Sequence, residues 1–215
     1  NITKKTKAIL PVHIYGQVCN IEEIQDIAKE NNLKIIEDCA HAVGTFHNSK
    51  HVGNLGKTGC FSFYPTKNIT TAEGGMVTTN DESLWRKMWA YKDHGKSYEA
   101  VYEREHPEGF RWLHESFGTN WRMTEMQAAI GRIQLKRMPD WHSKRLNNAN
   151  NIWSTAKQCK GLRVPTIPDH VEHAAYKCYV FVKPKALKND WNRDRIINEI
   201  NVLGVPCSSG SCSEV

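Results

Sequence analysis

The stretch from Ala8 to Asp38 limits the possible folds most sharply. Ala8-Ile9-Leu10-Pro11-Val12 is an apolar run that reads as a buried strand. Ile21, Ile24, Ile27 and Ala28 then recur at helical spacing over residues 21–31, with Asn20 placed to cap and Glu22 and Glu23 in the first turn, where the helix dipole favours acid. Asn31-Asn32 ends that segment, and Leu33-Lys34-Ile35-Ile36-Glu37-Asp38 reads as a second strand. Strand, helix and strand in this order form a βαβ unit, which requires parallel strands and a right-handed crossover. The expected class is α/β, with a mostly parallel central sheet flanked by helices. Ligands of such sheets bind at the carboxyl ends of the strands, and Asp38 stands at one.

A second stretch carries the chemistry. Gly59-Cys60-Phe61-Ser62-Phe63-Tyr64 reads as a strand, Met76-Val77-Thr78-Thr79 as another, and Lys67 lies on the loop between them. A lysine held between buried strands is partly desolvated, and its amine is then a nucleophile for carbonyls. A helix over 81–92 with Asp81 as its cap follows, then a polar, aromatic, irregular loop from Asp93 to Trp112. Thr124 caps a strong helix to Met138 with Met126, Ala129, Ile130, Ile133 and Leu135 near one face; Pro139 interrupts it, and the pattern resumes to about Lys157. Pro165 and Pro168 mark a linker, YKCYVFVK (Tyr176 to Lys183) alternates like a strand, and Asp194 to Leu203 reads as an amphipathic helix. The expected organisation is a large α/β domain over 1–138, a linking helix over 139–157, and the start of a small α+β domain over 158–215. The chain begins without Met and stops at Ser213-Glu214-Val215, so a fragment with both ends cut is expected.

Composition removes several classes. The 215 residues are 40% hydrophobic and 24% charged, as in ordinary globular proteins. No run of about 20 apolar residues is present, and residues 1–13 lack a signal-peptide core, so no membrane association is expected. The net charge of +6 is dispersed, without the basic stripe of a nucleic-acid binder, and suits an anionic small substrate. Cys39, Cys60 and Cys178 lie in apolar runs, where a free thiol packs as a small hydrophobe, and the expected compartment is a reducing cytoplasm. Cys207 and Cys212 lack the second ligand pair that zinc would need, so no metal site is expected.

Taken singly, Asp38 reads as a turn cap, His41 as a packed histidine and Ser62 as a strand serine. Together with Lys67 they make a set. Pyridoxal phosphate (PLP) needs a lysine for its aldehyde, a carboxylate for its pyridine nitrogen, a flat group near its ring and a donor for its phosphate, which Ser62 can supply. The segments EDCAHAVGT, GCFSFYPTKNITTAEGGMVTTND and GTNWRMTEMQAAIGRIQL resemble three ordered motifs of the DegT/DnrJ/StrS family, the PLP-dependent sugar aminotransferases of fold type I. The resemblance runs from about Lys7 to the end of the chain.

That resemblance implies the roles. Lys67 would carry PLP covalently, Asp38 would pair with the pyridine nitrogen, His41 would lie against the ring, and Ser62 would bind the phosphate. Asn120 would reach the phosphate of a second copy in a homodimer with shared active sites. The implied reaction moves an amino group from glutamate or a similar donor to a nucleotide-linked keto sugar, giving an amino sugar for surface polysaccharide or secondary metabolites. A keto-cyclitol acceptor is the alternative within the family, and a non-catalytic regulator or scaffold is the alternative outside catalysis. Two positions depart from the family pattern. Ala72 stands where glycine is usual, which matters if the backbone there has positive φ, and Tyr64 stands where histidine is common. The family's upstream Gly-Thr phosphate loop and its ring-stacking aromatic are expected before Asn1, and the rest of the small domain after Val215.

Overall fold

A computed structural model describes residues 1–109 and 113–210. Trp112, Cys212 and Ser213-Glu214-Val215, named above, lie outside the described residues. In chain order the elements are β1 (Ala8–Ile9), α1 (Ile21–Glu30), β2 (Lys34–Asp38), β3 (Phe46–His47), β4 (Lys50–His51), β5 (Thr58–Ser62), β6 (Gly75–Thr78), α2 (Glu82–Lys92), α3 (Glu125–Lys157), β7 (Leu162–Arg163), β8 (Val171–Glu172), β9 (Phe181–Val182) and α4 (Arg193–Val202). The expected βαβ unit is present: β1 pairs parallel to β2 with Ala8 opposite Lys34. β2 pairs parallel to β5, and β5 antiparallel to β6, giving the order β1-β2-β5-β6. The chain is thus an α/β fold with a mixed, mostly parallel sheet. Among the described residues, no helix is long and apolar enough to cross a membrane.

Two compact units divide the chain: Asn1–Leu146 with Ile167–Lys177, and Asn147–Thr166 with the chain from Cys178. In the first, Ile21 and Ala28 of α1 pack with Ile35, Cys39, Val52, Phe61, Phe63 and Ile69 into the core. Each buried side chain of that size contributes roughly 1.5–3 kcal/mol relative to exposure. Gly59 of β5 lies so close to Gly53 that a Cβ there would meet the Gly53 Cα at 2.2 Å, so this crossing of loop and strand needs glycine. In the second unit, Ala149, Trp153 and Ala156 are the buried residues of α3, and Trp153 Nε1 donates to the Tyr179 carbonyl at 3.1 Å.

Several expectations change on contact with the fold. YKCYVFVK is not one strand. Only Phe181–Val182 pairs, with β7, while Tyr176 and Lys177 belong to the first unit. The reason is hydrogen bonding upstream: Ala174 N–H donates to the Gly16 carbonyl and Lys177 N–H to the Tyr15 carbonyl. Pro139 lies inside α3 without ending it. The apolar positions Met126, Ile130, Ile133 and Leu135 are exposed, Met126 by 77%, because nothing among the described residues covers them. The loop expected over 93–112 contains one turn of π-helix at Glu99–Glu103. β6 is exposed along most of its length, so only one of the strands flanking Lys67 is buried. Asn20 holds the N-cap position of α1 without a side-chain bond to it. Thr124 does cap α3, its Oγ1 accepting from the Gln127 N–H while Gln127 Oε1 accepts from the Thr124 N–H.

Asp81 caps α2 as expected, accepting from the Leu84 N–H at 2.9 Å, and also pairs with Lys57. Asp81→Ala should therefore destabilise the fold. The readout is a lower midpoint of thermal unfolding, and an unchanged midpoint would show that the cap contributes nothing.

Candidate active site

The carboxyl end of β2 builds one wall of the site. Asp38 is the last residue of that strand, and both neighbours hold its backbone: its N–H donates to the Pro11 carbonyl, its carbonyl accepts from the His13 N–H, and it lies opposite Cys60 of β5. Its Oδ1 accepts from the Ala40 N–H at 3.0 Å. Asp38 is half-buried, and Oδ2 takes no hydrogen bond among the described residues.

Three residues later the chain presents the His41 imidazole between two tyrosines. Tyr176 stacks on it at 4.4 Å between centroids, and Tyr15 lies parallel on it at 6.1 Å, 8° between planes. Tyr15 has φ +61°, an uncommon conformation for a bulky residue, and its N–H points at His41 Nδ1 from 3.4 Å. Nδ1 therefore accepts, and a hydrogen on the ring belongs on Nε2. Burial lowers the proton affinity of His41, the Lys67 and Lys177 charges lower it further, and Asp38 opposes them; the net shift is downward. The imidazole is neutral near pH 7.

Lys67 follows β5 after a tight turn, its N–H donating to the Tyr64 carbonyl at 3.0 Å. The loop beyond it is pinned on several sides. Asn68 is buried and its Nδ2 donates to the carbonyls of Val43 and Ala174. Arg145 donates to the Asn68 carbonyl, and Gln134 Oε1 accepts from the Thr70 N–H. Lys67 Nζ lies 5.0 Å from the centroid of the Tyr176 ring, whose hydroxyl is 3.4 Å from Thr66 Oγ1. Ala72 has φ +67°, so the alanine in place of glycine occupies a left-handed position that costs an L-residue roughly 1–2 kcal/mol.

The structure therefore brings His41 and Lys67 to one ring, that of Tyr176, with the Asp38 charge acting on His41. Ser62 closes β5 on the same edge, its Oγ accepting from the Tyr64 N–H at 3.3 Å. Asn120 is not part of this group. It is exposed, bridges Asp93, and among the described residues makes no hydrogen bond to the other four. Tyr64 is exposed. Sequence reasoning missed Tyr15, Tyr176 and Lys177. Tyr15 follows β1, and the rule that loops after parallel strands line the site would have found it. Tyr176 carries no local signal, being brought to Lys67 by contacts more than 100 residues apart in sequence.

The donor set suits PLP. The amine of Lys67 has no carboxylate in ion-pair reach among the described residues, a half-buried carboxylate keeps one oxygen free, and a neutral imidazole with its hydrogen on Nε2 feels the charges of both.

The sequence profile of the DegT/DnrJ/EryC1/StrS aminotransferase family matches residues 1–209. The chain is 44% identical to the GDP-perosamine synthase of Escherichia coli O157:H7 over 166 residues, covering 74% of this chain and 43% of that protein. It is 37% identical to the GDP-perosamine synthase of Caulobacter vibrioides, covering 95% and 52%. The X-ray structure of the aminotransferase from Psychrobacter cryohalolentis superposes with a TM-score of 0.93 at 56% identity, covering 97% of this chain and 55% of that one. The chain thus spans about half the length of the relatives it matches. On the match over nearly its whole length, the chain belongs to the DegT/DnrJ/EryC1/StrS aminotransferase family.

Proposed function

We propose that the protein of which this chain forms part is a cytoplasmic, PLP-dependent aminotransferase that moves an amino group from glutamate or a similar donor to a nucleotide-linked keto sugar. The observation that carries this reading is the meeting of Lys67 and His41 at the Tyr176 ring, with Asp38 at the end of β2 acting on His41. The relatives named as GDP-perosamine synthases support a nucleotide-linked acceptor. PLP, when bound, supplies an aldehyde that condenses with amines and a ring that accepts electrons.

The residues then divide the work. Lys67 Nζ would be the nucleophile that holds the cofactor and, as a free amine, the base that takes a proton from the substrate and hands it back. Asp38 would pair through Oδ2 with the pyridine nitrogen and favour its protonated form. His41 donates through Nε2–H, its orientation held by the Tyr15 N–H and by Tyr176. Ser62 Oγ binds phosphate. Asn120 serves a second copy: its exposure, and the uncovered apolar residues Met126, Ile130 and Ile133 on α3, support a homodimer with shared sites. In the whole protein, residues 1–138 belong to the large domain, 139–157 link it, and 158–215 begin the small one, apart from Ile167–Lys177, which fold with the first unit.

Titrating PLP into the full-length protein should raise a visible absorption band. Borohydride should then fix the cofactor to one lysine, Lys67, as read by peptide mass mapping. A label on any other lysine overturns the assignment.

A further inference from the structure

The Tyr176 ring is flanked by two ammonium groups. Lys67 Nζ lies 5.0 Å from its centroid and Lys177 Nζ 5.3 Å. The main chain of Lys177 is tied down, its N–H donating to the Tyr15 carbonyl at 3.3 Å, while its side chain is exposed. Tyr176 is itself immobilised between His41 and Thr66 Oγ1. Among the described residues, neither ammonium has a carboxylate within ion-pair distance, although nine contacts of a lysine or arginine with a carboxylate occur elsewhere. The charges acting on His41 are Lys67, Lys177 and a single acid, Asp38. Two cations beside the Tyr176 ring, against one acid acting on its stacked neighbour His41, leave a local excess of positive charge. Cations placed this way repel each other, and an anionic ligand relieves that repulsion.

We propose that Lys177 is a specificity-determining residue of the Lys67 site, receiving an anionic group of the substrate, a carboxylate or a diphosphate. The inference rests on the aminotransferase reading. It adds a residue that none of the motifs around Lys67 contains. Lys177 is exposed beside Tyr176 and holds no carboxylate among the described residues, while Lys67 is half-buried and committed to the reacting carbon. A substrate whose reacting group meets Lys67 can thus place an acidic group on Lys177. The donor offers such a group in a carboxylate and the acceptor in its diphosphate, and the two substrates use the site in turn.

The test uses the full-length protein loaded with PLP and unreactive probes: glutarate for the donor, UDP and GDP for the acceptor. Dissociation constants are measured by calorimetry for the wild type and for Lys177→Gln, Lys177→Met and Lys177→Arg. The Met variant keeps the aliphatic stem against Tyr176, so it covers the case in which Gln disturbs folding. Loss of a charge-assisted contact should weaken binding about 10-fold, and Lys177→Arg, which keeps the charge, should recover most of it. Weakening of glutarate alone assigns Lys177 to the donor carboxylate, of the nucleotides alone to the diphosphate, and of both to shared use. Unchanged affinity for all three probes in both neutral variants overturns the proposal. That failure is distinct from failure of the aminotransferase reading, which would show in the wild type as absence of the visible band and of a borohydride label on Lys67.

Discussion

Lys67→Ala should abolish turnover while leaving the fold in place. Removing a positioned proton carrier alone lowers a rate by roughly 10²–10⁴-fold, and in the proposed role the same atom is also the nucleophile. The stability side is small for a stated reason. Lys67 Nζ holds no carboxylate among the described residues, and its contact with the Tyr176 ring is a cation–π interaction worth about 0.5–1 kcal/mol at a partly exposed position. The loop around it is fixed by Asn68, Thr70 and Thr71 rather than by the lysine side chain. The full-length variant should therefore keep its circular dichroism and unfolding midpoint and lose its amino-transfer rate. Lys67→Arg should be equally inactive, because a guanidinium stays protonated at working pH and cannot act as base or nucleophile. A small primary amine added to Lys67→Ala should restore part of the rate. Turnover above about one tenth of wild type in Lys67→Ala would exclude the role given to this amine.

What could be read from the sequence was local. The βαβ unit was legible because apolar spacing switches from strand-like to helical and back within residues 8–38, and the observed β1, α1 and β2 follow that switch. The Asp81 cap was legible because capping is a contact between residues three apart. Asp38, His41 and Lys67 were legible as a set because each stands at or just beyond the end of a strand of one sheet. The contacts that complete the site are long-range. Nothing near Tyr176 indicates that it meets His41, and alternation over YKCYVFVK pointed to a strand that the backbone bonds of Ala174 and Lys177 prevent. Periodicity found the apolar face of α3 but could not say what covers it, since a helix stripe reads alike whether its partner lies in the same chain or another. The conformation at Ala72 was conditional on a backbone angle, and the angle is the unfavourable one.

Glu37→Gln should be among the most destabilising single changes in the chain, by roughly 3–5 kcal/mol. Glu37 immediately precedes Asp38 and points to the opposite face of β2, where its side chain is fully buried. Its Oε1 accepts from the N–H groups of Leu55 and Gly56 at 2.8 and 2.7 Å, and its Oε2 from the Gly53 N–H at 2.8 Å and from His13 Nε2 at 3.0 Å. A carboxylate can only accept, so His13 must carry its hydrogen on Nε2, and its Nδ1 faces the Cys19 N–H at 3.3 Å. His13, Glu37 and Cys39 offer ligand atoms within 4.8 Å of one another, but both Glu37 oxygens are already engaged, and the group serves as a structural anchor. An amide in place of the carboxylate turns one acceptor into a donor facing donors, leaving buried N–H groups unpaired. The loop thus released is the one that packs Gly53 on Gly59 of β5, the strand that leads to Ser62 and Lys67. Site geometry should therefore loosen together with the fold, and PLP should bind more weakly to the folded variant. pH gives an independent check. Burial pushes the Glu37 carboxyl upward, but the bonds from His13 and from the Gly53, Gly56 and Leu55 N–H groups outweigh it and hold the group below 4.5. A depressed carboxyl stabilises the fold fully above its unfolded value and loses that contribution as pH falls through the folded one. Wild-type stability should therefore decline below about pH 4.5, and the decline should be shallower in Glu37→Gln, which has no proton to take up at this position. Urea unfolding of both proteins at pH 7 and pH 4 measures the two effects together: equal midpoints at pH 7, or equal losses between the two pH values, would remove Glu37 from its place beneath the site.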